Sequence, residues 1–296
     1  MKLSKKEKEG KKSLHFVIDN NVGSFEWYSQ TDDLLKRFEK QRMESYETMF
    51  KSIDNDDLEC VPTQIEKLTS YIEENTDFLP AYLEMGSLLY SYGDYRSALF
   101  CLSDGLRVAT SIIPDKFKGY IKRMGLFNES FFEICVLLVK THLKLGEYKT
   151  ALQIGLFAYN CAEELDDIII ECYVVALIYN GMLKEALKVF DEFEEELELF
   201  YPPLSFWYPW LLFHAGDIDR ARKYFQRNFK NHPDFGEVLL APYHLPVPKK
   251  KKKHDDLFLY EFLPMKFVKD HFPLWVNDQL QQMLRDVRKI SKIVRK

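Results

Sequence analysis

The sequence predicts an all-α chain, a right-handed α-solenoid of about five helix-turn-helix hairpins closed by a C-terminal capping helix. Three observations predict it. In Leu79 to Ala109 the apolar residues recur at i, i+3, i+4 and i+7 on either side of Gly93, as in two amphipathic helices joined by a tight turn. A signature of glycine, any residue, a bulky apolar residue, two more and alanine appears at Gly93–Ala98, Gly146–Ala151, Gly181–Ala186 and Gly216–Ala221. Successive glycines lie 53, 35 and 35 residues apart, and the two equal intervals have the length of a helical-hairpin repeat.

Each position of the signature has a physical reason. Gly93 can take the left-handed conformation that ends a helix, and Asp94 can cap the next one. Alanine early in the second helix lets the two helices approach closely. The first interval is longer by about 18 residues, the excess over the 35-residue period, and the insertion is placed at Thr110 to Leu126.

The elements follow in order. Residues 1–30 are expected to be an N-terminal basic tail and arm. The tail is 1–12, and Leu14 to Tyr28, with apolar groups broken by Asp19-Asn20-Asn21 and Gly23, is an extended arm lying on the first helices. The helical-repeat domain is assigned to 31–238. It opens with a helix from Thr31 to about Ile53 and another starting at Pro62-Thr63, where Thr63 and Glu66 fit a capping box; together they make a degenerate first hairpin. Pro209, inside the expected helix Pro203 to His214, is expected to bend it. Residues 239–257, with Pro242, Pro246 and Pro248 before five lysines, read as a linker or loop. Residues 258–296 form a capping segment ending in a basic amphipathic helix, with Val276, Leu280, Met283, Leu284, Val287 and Ile290 on one face.

On these residues the chain resembles the tetratricopeptide repeat (TPR) family over roughly residues 60–233. Tyr82, Gly86, Gly93, Tyr95 and Ala98 agree with that pattern in the best unit, and Pro233 matches the closing proline. Where the family has a small residue in the first helix, this chain has Gly86 once and then Val139, Val174 and Pro209, so those hairpins are expected to pack less closely. The resemblance implies a concave groove lined by the first helix of each hairpin. Carried over, its positions are Leu83, Ser87 and Tyr90; Val136, Lys140 and Leu143; Glu171, Val175 and Ile178; and Phe206, Trp210 and Phe213. These are mostly apolar and suit a hydrophobic peptide or helix, or else they are core if 258–296 folds into the groove. Relatives that clamp a terminal carboxylate use Lys, Asn and Arg; here Leu83, Ser87, Leu137, Ile168 and Cys172 stand at such positions, which argues against that mode.

Chemistry is sparse. The seven histidines lie far apart and form no HExxH, and no GxGxxG, GxxxxGK[ST] or GxSxG occurs, so no catalytic, cofactor-binding or metal site is assigned and the chain is read as not an enzyme. His142 and His214 sit in helical apolar windows and are read as satisfied imidazoles, and acidic pairs such as Asp166-Asp167 as solvated faces. The five cysteines are odd in number and scattered without a CxxC, which fits reduced packing residues.

There is neither a secretory leader nor a run of 18 apolar residues, and a cytoplasmic location is expected, with the nucleus as the alternative. Net charge is −5, yet residues 1–12, Lys249–Lys253 and 281–296 together carry +14, leaving an acidic body at −19. The function expected is a non-catalytic protein-protein interaction scaffold for a protein or peptide partner. The alternative is a basic-tail adaptor touching nucleic acid or an acidic membrane surface through Lys249–Lys253, although aromatics do not interleave with those lysines.

Overall fold

A computed structural model of the chain describes residues 13–28, 60–193, 201–240, 267 and 269–293. Two compact units divide it, Met1–Asn180 and Gly181–Lys296. The first holds α1 (Cys60–Glu74), α2 (Leu79–Tyr92), α3 (Tyr95–Ile112), α4 (Leu126–Lys144), α5 (Tyr148–Cys161) and α6 (Asp167–Tyr179). The second holds α7 (Leu183–Asp191), α8 (Pro202–His214), α9 (Ile218–Asn231), α10 (Pro233–Leu240) and α11 (Asp278–Ile293), with a short helical run at 269–275.

The repeat signature does what its chemistry demands. Gly93, Gly146, Gly181 and Gly216 have φ of 89°, 76°, 73° and 87°, the left-handed region that a Cβ disfavours. After α2 the Gly93 amide donates to the Tyr90 carbonyl at 3.0 Å and the Asp94 amide to Leu89 at 3.0 Å, satisfying carbonyls the helix end would leave open. Asp94 then turns its carboxylate to the Ser97 amide (3.1 Å), and Asp217 does the same for Arg220 (3.3 Å). Ala98, Ala151, Ala186 and Ala221 are fully buried. The α2–α3 pair is the tightest expected and has a visible cause: a Cβ on Gly86 would lie 2.3 Å from Leu102. An all-α helical repeat is the result.

Several boundaries differ from expectation. The helix expected to begin at Pro62-Thr63 begins at Cys60, so Thr63 lies inside its first turn and not at the cap. Proline is tolerated there because first-turn amides have no helical acceptor. The helix expected at Thr31 to Ile53, the tail 1–12 and nearly all of the 239–257 linker lie outside the described residues. Residues 239–240 end α10.

The extended arm is a β-hairpin, β1 (Ser13–Asp19) and β2 (Val22–Tyr28), paired antiparallel from Ser13↔Tyr28 to Asp19↔Val22. Asn20 and Asn21 both have positive φ, 49° and 67°, as a two-residue hairpin turn requires. Leu14 and Phe25 are buried on the inner face, whereas His15, Val17 and Asp19 point outward.

The insertion explains what holds the hairpin. Thr110 to Leu126 contains the last residues of α3, then β3 (Tyr120–Ile121), which pairs parallel with β2 through Val22↔Tyr120 and Gly23↔Ile121. Gly119 allows this approach, because a Cβ there would stand 1.9 Å from the Asn21 carbonyl oxygen. Phe117 from the same segment meets Phe16 edge-on at 5.1 Å. A three-stranded sheet thus sits on the helices of the first unit, with Phe25 tilted against Phe131 of α4 at 5.0 Å.

Candidate interaction surface

In the first unit the first helices of successive hairpins, α2 and α4, pack side by side, and α4 packs in turn on α6. The groove positions assigned from the sequence fall along them. Leu83 (8% exposed), Tyr90 (8%) and Val136 (9%) are at the limit of burial, while Ser87, Lys140 and Leu143 are half-buried. Glu171, Val175 and Ile178 on α6 are buried. Of these nine positions only Ser87, Lys140 and Leu143 are more than marginally exposed.

In the second unit the positions have become core. Phe206 is fully buried and stacks on Phe235 at 5.0 Å, Trp210 is 4% exposed, and Phe213 is half-buried. The Trp210 indole N–H donates to the Leu274 carbonyl at 2.9 Å, and Trp207 is boxed by Phe267, His271 and Trp275 at 5.2–5.4 Å. Residues C-terminal to 266 thus cover this stretch of α8. α11 follows, capped by the Asn277 side chain on the Leu280 amide (3.0 Å) and burying Leu280, Met283, Leu284 and Val287 against α9 and α10. Gln281, itself buried, donates to the carbonyls of Leu239 (2.9 Å) and Trp275 (2.7 Å), and Arg288 pairs with Glu237.

Pro209 does not break α8, which runs from Pro202 to His214. The ring removes the amide that would have bonded the Ser205 carbonyl. The buried Asn228 side chain of α9 supplies the missing donor at 2.6 Å.

The titratable groups found by sequence behave as packing residues. His142 is 7% exposed and its Nδ1 meets the Glu147 carboxylate at 2.5 Å. The His214 ring lies tilted against Trp210 with centroids 4.0 Å apart, and burial pushes its pKa down. Burial pushes the thiols of Cys101, Cys161 and Cys172 up to about 12, and that of Cys135 upward as well. Such thiols are poor nucleophiles. Asp166 departs from the solvated-face reading: its carboxylate accepts from the Ile169 amide at 2.8 Å and pairs with Arg123 at 2.7 Å, tying the insertion to the start of α6. Among the described residues no cluster of His, Cys, Asp and Glu is arranged to hold a metal ion.

Sequence reasoning did not single out Asn128. Its side chain is 3% exposed, accepts from the Phe25 amide (2.7 Å) and donates to the Ser24 hydroxyl (3.2 Å) and the Met124 carbonyl (2.7 Å). No local pattern signals this, since Phe25 lies 103 residues away. A shallow open depression between Lys118-Gly119 and α5 is lined by Gln153, Leu156, Phe157 and Asn160.

Left-handed glycine turns, buried alanines and a period of 35 residues define the repeat. The hairpins are TPR-like. No family model matches the chain, and no curated protein matches it. Among solved structures it is similar to that of YrrB, titled a TPR protein with an unusual peptide-binding site, at 15% identity and a TM-score of 0.45, covering 75% of this chain and 99% of that one. No helix among the described residues is long and apolar enough to cross a membrane. The pentalysine Lys249–Lys253, assigned to the nucleic-acid alternative, lies outside the described residues.

Proposed function

We propose that the chain is a non-catalytic protein-interaction scaffold, and that Leu83, Ser87, Tyr90, Val136, Lys140 and Leu143 of the first unit receive a short apolar peptide or helix from a partner protein. The observation that supports this reading is the side-by-side packing of α2 and α4, on which Ser87, Lys140 and Leu143 are only half-buried. A ligand there would gain most from apolar groups set against Leu83, Tyr90, Val136 and Leu143. Burial of Phe206 and Trp210 keeps those two out of the surface. The raised thiol pKa values support a non-catalytic role for the described cysteines.

Peptides selected from a random library against the purified full chain test this. Leu143→Asp and Ser87→Trp are each expected to weaken the selected peptides roughly tenfold, about 1.4 kcal/mol, at an unchanged thermal midpoint. Affinity that survives both substitutions, or falls only as the midpoint falls, would overturn the assignment.

A further inference from the structure

We propose that β1 is a self-pairing edge, through which two copies of this chain join their three-stranded sheets into one of six strands. One outer edge of the sheet is closed, because β3 is covered by the Glu163 amide donating to the Ile121 carbonyl at 2.9 Å and by the Ile121↔Ala162 bridge. Among the described residues no strand pairs with the other edge, β1. In an antiparallel pair, residues alternate between facing the partner strand and facing away with their backbone groups. On β2, Phe25 and Gly23 face away, to Asn128 and to the Lys122 amide (2.8 Å). Their opposites on β1, Phe16 and Ile18, therefore turn their N–H and C=O groups outward. The next outward amide, Leu14, is occupied by the Asp77 carboxylate at 2.8 Å. Among the described residues nothing accepts from the Phe16 or Ile18 amide.

The usual defences of a sheet edge are missing, since β1 has no proline, no lysine and an unbroken register without a bulge. What pairs with it is dictated by where the open groups stop. With Leu14 taken, only Phe16 and Ile18 remain, and the antiparallel register that satisfies both sets Phe16 against Ile18 of a second copy and Ile18 against its Phe16. That register is self-complementary about a two-fold axis at Val17. Val17, 37% exposed, then faces its own counterpart, and His15 faces Asp19, twice. Leu14 meets the point where the other copy's strand ends at the Asn20-Asn21 turn, so the Asp77 contact is not displaced. One strand edge buries less than the ~1,200 Å² of a standard stable interface, so the dimer is a weak one that forms at high concentration.

Val17→Cys in the full chain places two thiols across the axis. Under mild oxidant it is expected to give a reductant-sensitive covalent dimer at least tenfold faster than Phe100→Cys, a control on α3 at a position 74% exposed. In sedimentation of the otherwise unmodified chain, a concentration-dependent dimer should disappear with Val17→Lys, which opposes two ammonium groups, and persist with Val17→Thr. A Val17→Cys chain that cross-links no faster than the control overturns the proposal, as does a dimer that survives Val17→Lys. If Val17→Lys opens the hairpin itself, the cross-linking rates decide.

Discussion

The side-chain amide of Asn228 donates to the Ser205 carbonyl, the acceptor that Pro209 leaves without its helical partner. A proline inside a helix costs about 3 kcal/mol, in part through that lost bond. Here the neighbouring helix of the same hairpin restores it in a buried setting. Asn228→Leu should therefore lower stability by about 1–3 kcal/mol, the cost of orphaning a buried polar group. Pro209→Ala returns an amide to the site, so its addition to Asn228→Leu should recover part of the loss. Denaturant midpoints of the four chains in that cycle check the sign, and a double variant no more stable than Asn228→Leu would refute the exchange.

The buried alanines predict where bulk is not tolerated. Ala98→Leu and Ala151→Leu insert three carbons each where the side chain is fully buried, and overpacking of this kind costs about 1–3 kcal/mol. Gly93→Ala meets no steric neighbour, yet φ of 89° makes it costly by about 1–2 kcal/mol. Thermal unfolding should rank all three below the parent chain.

Hydrogen exchange should detect the hairpin clamp. Asn128→Ala removes the acceptor of the Phe25 amide, and Gly119→Ala drives a Cβ into the Asn21 carbonyl. Both are expected to raise exchange across 13–28 by tenfold or more while α2 to α6 keep their protection, because a local opening of ~1.4 kcal/mol suffices for that change. Uniform loss of protection across the first unit would instead mean that hairpin and helices open as one.

The thiols predict an alkaline limit. Cys101, Cys161 and Cys172 are pushed from 9.0 up to about 12 by burial, so between those values the unfolded chain releases protons that the folded chain keeps. Unfolding then gains on folding as pH rises, and stability should fall between about pH 9 and 12 and be insensitive to these groups below 9. Replacing the three by alanine or valine should flatten that decline in urea titrations. Labelling of the same thiols at neutral pH should be slow until urea unfolds the chain.

The repeat was legible in the sequence because its determinants are local. A left-handed glycine, a capping aspartate and an alanine five residues after the glycine each act within one turn, and periodicity at 3.6 residues states which side is buried. That reasoning reached Gly93, Gly146, Gly181 and Gly216, and it located the insertion at Thr110 to Leu126. Tertiary structure decided the rest, since the interactions concerned join residues far apart in sequence. Asn128 holds Phe25 across 103 positions, Arg123 holds Asp166 across 43, and Trp210 is closed by Leu274 across 64. A hydrogen bond of that span leaves no periodic mark on the chain, because its partner's distance is set by packing and not by helical or strand geometry. For the same reason an apolar first-helix position such as Phe206 reads alike whether it lines a groove or fills a core, and only the chain that folds over it makes the difference.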